Sequence, residues 1–318
     1  MVTIIIPNYN GYAFLKDCLE ALMPQIKESM DVLVVDNGST DESVSFLQNL
    51  ESVKTIFLSE NTGFCGAVNA GIKASHTKYV ILLNNDTKVL PGYVDNLVEA
   101  MEQDERIFSG SARMLQMHAP DRIDDAGDEY CALGWAFARG KGKAADHYEK
   151  PAEVFAACGG ASIYRREVFE QIGFFDEQHF AYLEDIDIGY RARIFGYRNV
   201  YVPSAKVLHF GSGFSGSRHN AFKVSLSSRN SVYLPWKNMP LVQLILNAPF
   251  LVIGYFVKYI FFVRKGLGKE YRKGISEGFK LCRSVPRKEY KVGGFFKHFK
   301  SYCHIQFLLW KNLFKLEH

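Results

Sequence analysis

Three short clusters in this chain have residue types and spacing suited to polar chemistry. Asn84-Asn85-Asp86 follows an apolar run. A carboxylate at a strand end can hold Mg²⁺ or Mn²⁺ against a diphosphate, because hard cations take oxygen ligands and are often completed by substrate phosphates. Taken alone, the triplet also reads as a polar turn. Glu184-Asp185-x-Asp187 puts three carboxylates within four residues, a repulsive arrangement that calls for a role or a cation. One of them can act as general base toward a hydroxyl. Acids at a helix start are equally favoured by the macrodipole, and Asp187 can pair with Arg191 one turn on. His209 follows Val207-Leu208 and precedes Phe210-Gly211-Ser212-Gly213, a strand-end position that suits a metal ligand better than a core histidine. A fourth stretch, Asn61-x-Gly63-Phe64-x-Gly66-x-x-Asn69-x-Gly71, lets backbone approach a ligand closely. It is not the dinucleotide fingerprint, and it follows the third strand rather than the first.

The elements that must position these residues alternate. Val2–Ile6, Asp31–Val35, Lys54–Leu58 and Tyr79–Leu83 are short apolar runs of the kind buried on both faces of a parallel sheet. Phe14, Leu15, Cys18, Leu19 and Leu22 fall at helical spacing after the first run, and Ser39 or Thr40 could cap a helix holding Val44, Phe46 and Leu47. Alternation of strands and helices implies parallel βαβ units, whose ligands bind at the carboxyl ends of the strands. The polar clusters occupy those ends. Residues 113–155, with acidic Asp121–Glu129 and the glycine-lysine run Arg139–Lys143, read as a long loop over the site. Cys158–Tyr164, Arg198–Pro203 and Ala205–His209 read as strands; Arg166–Ile172 and Glu184–Phe195 read as helices.

Charge divides the chain. Residues 1–263 carry 24 Lys/Arg against 30 Asp/Glu, whereas 264–318 carry 14 against 4. An acidic body with a basic tail points to an anionic partner for the tail. Leu241–Val263 is long enough to span a bilayer, but Asn247, Pro249 and Lys258 interrupt it. Together with the basic, aromatic-rich segment that follows, it suits peripheral or monotopic attachment to an anionic leaflet. Core helices packed on the rest of the protein are the alternative. Six scattered cysteines without a C-x-x-C pair argue against structural zinc and for a reduced, cytoplasmic setting. Val2–Ile6 has no basic region before it and ends at Pro7, so it reads as a strand rather than a signal peptide.

In this order, Val2-Thr3-Ile4-Ile5-Ile6-Pro7-Asn8-Tyr9-Asn10, Val34-Val35-Asp36-Asn37-Gly38-Ser39-Thr40-Asp41, Asn61-Thr62-Gly63-Phe64, Leu83-Asn84-Asn85-Asp86 and Phe180-Ala181-Tyr182-Leu183-Glu184-Asp185-x-Asp187 resemble the family 2 glycosyltransferases, and among them the bacterial rhamnosyltransferase-like branch. The resemblance covers roughly residues 1–235. It implies a GT-A fold: a Rossmann-like, mostly parallel α/β sheet flanked by helices, with a nucleotide-binding half over 1–112 and an acceptor half over 113–235; beyond it, the composition of 236–318 reads as a helical, membrane-associating extension. Pro7, Asn8, Tyr9, Asp36, Asn61, Gly63, Asn69 and Asn85 would hold the nucleotide. Asp86 and His209 would hold Mg²⁺ or Mn²⁺, with Asn84 a weak third ligand where many relatives carry the first Asp of a D-x-D motif. Asp185 would be the general base, with Glu184 beside it. The implied reaction is inverting, metal-dependent transfer of one sugar from a nucleoside diphosphate to a glycan or lipid-linked saccharide of the bacterial cell surface, on the cytoplasmic side of the plasma membrane. dTDP-L-rhamnose leads as donor; a UDP-sugar (galactofuranosyl, glucosyl or N-acetylhexosaminyl) is the alternative. The absence of a Q-x-x-R-W motif favours single transfer over processive synthesis. A nucleotidyltransferase would carry basic residues straight after the first strand, and Pro7–Gly11 has none. A non-catalytic sugar-nucleotide or glycan binder is the rival from another class. No nucleic-acid-binding motif accompanies the basic tail.

Overall fold

The computed structural model describes residues 2–211, 219–285 and 294–316; Ser212 and Gly213 of the expected Gly/Ser loop lie outside the described residues. In chain order the N-terminal elements are β1 (Val2–Asn8), α1 (Tyr12–Leu22), β2 (Met30–Asp36), α2 (Ser43–Gln48), β3 (Lys54–Phe57), α3 (Gly63–Ala74), β4 (Tyr79–Leu83), β5 (Thr87–Val89) and α4 (Tyr93–Glu102). Then come β6 (Ile107–Gln116), β7 (Ala119–Asp125), β8 (Asp128–Tyr130), β9 (Ala136–Ala138), β10 (Ala152–Val154), β11 (Ala161–Arg165), α5 (Val168–Ile172), α6 (Glu184–Ile194) and β12 (Arg198–His209). The C-terminal part is helical: α7 (Ala221–Asn238), α8 (Leu241–Arg264), α9 (Gly268–Ser284), α10 (Gly294–Lys297) and α11 (Phe299–Lys311).

Among the described residues one ten-stranded sheet runs β10-β12-β6-β11-β4-β1-β2-β3, with β5 on β12 and β7 on β6. β3, β2, β1 and β4 are mutually parallel, and β12 is parallel to β6. β11 and β10 run antiparallel to their neighbours. Ile4, Ile5 and Ile6 are fully buried, as a strand covered on both faces requires. Leu15, Cys18, Leu19 and Leu22 form the inward stripe of α1. α3 lies so close to β1 that a Cβ on Gly71 would sit 2.5 Å from Ile5 Cγ2.

Three local expectations are revised. Neither Ser39 nor Thr40 caps α2; the Asp41 carboxylate instead accepts the Ser43 N–H at 3.0 Å. Arg198–His209 is one strand, bulged between Val202 and Lys206 where Pro203 interrupts the ladder. Residues 113–155 are not a loop over the site. They supply the end of β6, strands β7 to β10 and a small core of Leu115, Ile123, Ala126, Ala145 and Val154 that packs with Tyr201 of β12.

α7 carries the chain through the composition change near residue 236 and locks the helical region onto the sheet. Asp187 in α6 is fully buried. Its Oδ2 accepts from Arg191 Nη2 at 2.8 Å and Lys237 Nζ at 2.7 Å, and its Oδ1 accepts from Asn238 Nδ2 at 2.7 Å. Lys237 also pairs with Asp176 at 2.6 Å. Arg191 spends its remaining donors on the carbonyls of Ile172, Gly173 and Phe174. Burial alone would raise the Asp187 pKa, but Arg191 and Lys237 hold it well below the carboxylate range. Of the two readings open for Asp187, the i,i+4 pair with Arg191 is the one formed. Asp187→Asn should therefore cost about 3–5 kcal/mol in urea unfolding, because it strands two buried cations. Asp95→Ala, which removes an exposed pair with Lys27, should cost no more than about 1 kcal/mol. Similar losses for the two variants would disprove the junction.

Candidate functional site

The carboxyl ends of β1, β2 and β4 are cross-linked by their own polar side chains. Asn8 Nδ2 donates to Asp36 Oδ2 at 3.0 Å, and Asn85 Nδ2 donates to Asn8 Oδ1 at 2.8 Å. Asp36 also accepts the Ser39 N–H and is only 1% exposed. Its geometry is that of a turn organiser. Asn61 Oδ1 accepts from Gly63 N–H and from Asn37 Nδ2, shaping the turn into α3. Gly63 has φ +75°, and a Cβ there would come 2.5 Å from the Phe180 carbonyl, so glycine is required on both counts. Pro7 and Tyr9 are half-buried at the same sheet edge. Asn69 stands apart from this row: its amide clamps the Phe175 backbone and reaches Glu177, holding the segment ahead of α6.

β4 then delivers Asn84-Asn85-Asp86, and β12 delivers His209 opposite Thr87. His209 Nε2 lies 3.4 Å from Asp86 Oδ1, and its Nδ1 lies 2.6 Å from Asp124 Oδ2. Lys141 Nζ donates to the other Asp124 oxygen at 3.0 Å. Burial would lower the His209 pKa, yet hydrogen bonds and charge from Asp124 and Asp86 outweigh it and raise the pKa to about 9. Burial would raise Asp124, but His209 and Lys141 bring it to about 2.

The neighbouring residue continues the chain of acids. Ligand atoms of Asp125, Asp128 and Cys158 lie within 4.8 Å of one another. Asp128 and Asp185 hydrogen-bond side chain to side chain, and Asp185 also accepts the Ile186 and Gly159 N–H groups. Burial, then the charges of Asp125 and Asp185, drive Asp128 well above the carboxylate range, so it carries the shared proton. Burial raises Asp185 against those three hydrogen bonds, and burial with the Asp185 charge raises Glu184. Gly160 closes the circuit. Its carbonyl accepts the Asn84 N–H at 2.8 Å, and a Cβ on it would come 3.1 Å from Asn84 Nδ2. A continuous ring thus runs from Asp86 through His209, Asp124-Asp125, Asp128, Asp185 and Gly159-Gly160 back to Asn84.

The approach to Asp185 is strained and externally held. Phe180, Tyr182 and Leu183 all have positive φ, at 61°, 68° and 67°. Asn230 in α7 donates to the carbonyls of His179, Ala181 and Tyr182 at 2.8–2.9 Å and fixes this conformation.

The residues present suit a divalent cation. Among the described residues the buried Asp86 Oδ1 has only His209 Nε2, at 3.4 Å, beside it, and a cation taking the place of the His209 proton would satisfy both groups. The oxygen and imidazole donors of Asp86, Asn84 and His209 match Mg²⁺ or Mn²⁺. Sequence reasoning did not find Asp124, Asp125, Asp128 and Lys141. The acidic run Asp121–Glu129 and the lysine run after it were the available signals.

Comparison with known proteins identifies the family and the fold. The family model of "Glycosyl transferase family 2" matches residues 3–173. An N-acetylglucosaminyl-diphospho-decaprenol L-rhamnosyltransferase of Mycobacterium tuberculosis is 28% identical over 274 residues, 76% of this chain and 88% of that protein. A putative teichuronic acid biosynthesis glycosyltransferase, TuaG of Bacillus subtilis, is 28% identical over 40% of this chain and 56% of its own. Among solved structures, GalNAc-T7 with UDP, GalNAc and Mn²⁺ superposes with a TM-score of 0.59 at 15% identity, covering 74% of this chain and about half (48%) of that one. The mannosyltransferase PcManGT of Pyrobaculum calidifontis, in complex with GDP-Man and Mn²⁺, gives 0.54 at 12% identity, over 97% and 83%. These likenesses establish the GT-A fold expected from the sequence.

The carboxylate behind His209 generates a test. Asp124→Asn should weaken Mn²⁺ binding roughly 10- to 100-fold, read by titration of free Mn²⁺ by electron paramagnetic resonance, with little change in the thermal melt. Unaltered Mn²⁺ affinity would remove Asp124 from any role in orienting His209.

Proposed function

Because the chain belongs to glycosyl transferase family 2, we propose that it moves one sugar from a nucleoside diphosphate to a glycan or lipid-linked saccharide by a single inverting displacement. The observation that carries this reading is the ring of contacts joining Asp86 and His209 to Asp185. It supplies a cation-suited donor set and a buried base within one site. dTDP-L-rhamnose is the leading donor, supported by the mycobacterial rhamnosyltransferase relative; a UDP-sugar is the alternative. Pro7, Tyr9 and the turns organised by Asn8, Asp36, Asn61 and Asn85 would cradle the nucleotide along the sheet edge. Asp86, His209 and Asn84 would hold Mg²⁺ or Mn²⁺. That ion, when bound, supplies positive charge for the diphosphate leaving group. Lys141 and Lys223, which lie within electrostatic reach of each other, with Lys223 also near Asp86, add to that charge.

Asp185 takes the acceptor hydroxyl proton as that oxygen bonds to the anomeric carbon and the bond to the diphosphate breaks. Its raised pKa makes it a stronger base than an exposed carboxylate. The hydrogen bonds from Asp128, Ile186 and Gly159 keep it ionised and aimed. In a screen for nucleoside-diphosphate release with Mn²⁺ or Mg²⁺, dTDP-L-rhamnose should turn over and chelation should abolish the signal. Asp185→Asn should lower turnover by about 10²–10⁴ with donor binding intact. Full turnover in that variant would take the base role from Asp185, and turnover with UDP-sugars alone would select the alternative donor.

The reading extends to monotopic membrane attachment, which the outward apolar face of α8 supports, with the cytoplasmic face as the proposed side. α8 has the length and composition of a spanning helix, but its polar face points inward. Asn247 and Gln306 exchange amide hydrogen bonds at 2.8 and 2.9 Å, and Tyr190 OH donates to Gln243 at 2.6 Å. Leu241, Val242, Ile245, Val252, Ile253, Phe256 and Ile260 face outward. A helix fastened along one side and apolar on the other lies in an interface. The chain should float with phosphatidylglycerol-containing vesicles and detach in alkaline carbonate, and Ile253→Glu/Phe256→Glu should abolish flotation. A detergent-free soluble monomer that ignores vesicles would overturn this attachment.

A further inference from the structure

A cavity of about 310 Å³ opens beside Asp185 and is bounded by the helical extension. Asp128, Glu184 and Asp185 form one part of its lining; Lys258 and Phe262 of α8 and Tyr271 of α9 form another. The volume is at the lower end for small-molecule sites, about 300 Å³. Lys258 is out of place there. It belongs to the protein-facing stripe of α8, in line with Gln243, Asn247, Leu251 and Gly254. Its ammonium lies 5.6 Å from the Trp135 ring centre, and it forms no ion pair among the described residues. Burial pulls its pKa down to about 8. A half-buried ammonium with no carboxylate in contact is costly, whereas the Gln243 and Asn247 positions of the same stripe are hydrogen-bonded.

We propose that this cavity is the acceptor subsite and that Lys258 binds a phosphate group linking the acceptor sugar to its lipid. The placement fits the parts. The sugar hydroxyl meets Asp185 at one side of the cavity, the phosphate meets Lys258, and the hydrocarbon leaves along Phe256, Val257, Ile260 and Phe261, which are exposed on the other faces of the same helix turns. Trp135 donates its indole N–H to the Gly254 carbonyl at 3.1 Å and so fixes α8 at that point. The proposal rests on the transferase reading for its role but not for its binding test.

The test uses the full chain in detergent, with farnesyl diphosphate, farnesol and inorganic pyrophosphate as probes in equilibrium dialysis. Farnesyl diphosphate should bind saturably and roughly tenfold or more tighter than either of the others. Lys258→Met and Lys258→Gln should each lose that advantage, and Lys258→Arg should keep most of it. All three variants should bind dTDP or UDP like the parent, which shows that they are folded. Equal binding of farnesyl diphosphate by parent, Met and Gln variants overturns the proposal, as does farnesol matching the diphosphate. Pyrophosphate matching it makes the site one for free phosphate and overturns the lipid assignment. Loss of nucleotide binding in the parent, with lipid diphosphate binding retained, would instead sink the transferase reading alone.

Discussion

The buried carboxylate of Asp187 is the constraint on which the rest of this structure turns. Two cations and an amide converge on it from α6 and α7, and none of the three charged groups has access to water. A junction of this kind adds little net stability over an apolar one, but it tolerates no missing member. It therefore specifies geometry. Arg191 ties α6 to the carbonyls after α5, Lys237 ties α7 to Asp176, and the strained turn at 180–183 is caught between them. The two residues that precede Asp187 by two and three positions are Asp185 and Glu184. Their placement follows from the lock behind them.

The acids in front of the lock obey a different balance. Asp125, Asp128, Glu184 and Asp185 are mutually repulsive and poorly solvated, and their pKa values rise accordingly. A shared proton between Asp128 and Asp185 relieves part of that cost. On the other side of the ring, Asp124 keeps its charge because His209 and Lys141 compensate it. Thus two consecutive aspartates, Asp124 and Asp125, have opposite tendencies, set by which way each faces. Groups whose environments push their titration apart in this way are the ones suited to divide metal orientation from proton transfer.

Much of this could be read from the sequence where the signal is local. The apolar runs of β1, β2 and β4, and the polar residues that terminate them, are contiguous in the chain, so their convergence follows from the parallel arrangement. What escaped was non-local. β8, β9 and β10 are three residues each, and β7 and β8 end or begin on the buried acids Asp124, Asp125 and Asp128, which breaks the alternation by which strands are recognised. Asp36 and Asn69 show the reverse problem. Their residue types suit ligand binding, but Asp36 also accepts from the Asn8 side chain and Asn69 holds the Phe175 backbone, partners that only the tertiary structure brings near. Asp187 was ambiguous because its decisive partners, Lys237 and Asn238, lie fifty residues away.

Composition also misleads about α8 in an instructive direction. Asn247, Pro249 and Lys258 look like flaws in a spanning segment, yet Asn247 and Lys258 fall on the stripe that faces the protein, where Gln243 and Asn247 make the hydrogen bonds that hold the helix down. Pro249 lies within the helix and does not end it. The polar residues are thus the means of attachment, and the apolar ones are the outer surface. Once α8 is seen as inside out, its nearness to Asp185 acquires a meaning. A soluble acceptor would need no apolar wall beside the base. An acceptor anchored in a leaflet would need its reactive end carried from the membrane surface to a buried carboxylate, and the cavity between α6, α7 and α8 is bounded at one part by that carboxylate and at another by the helix whose outer face is apolar.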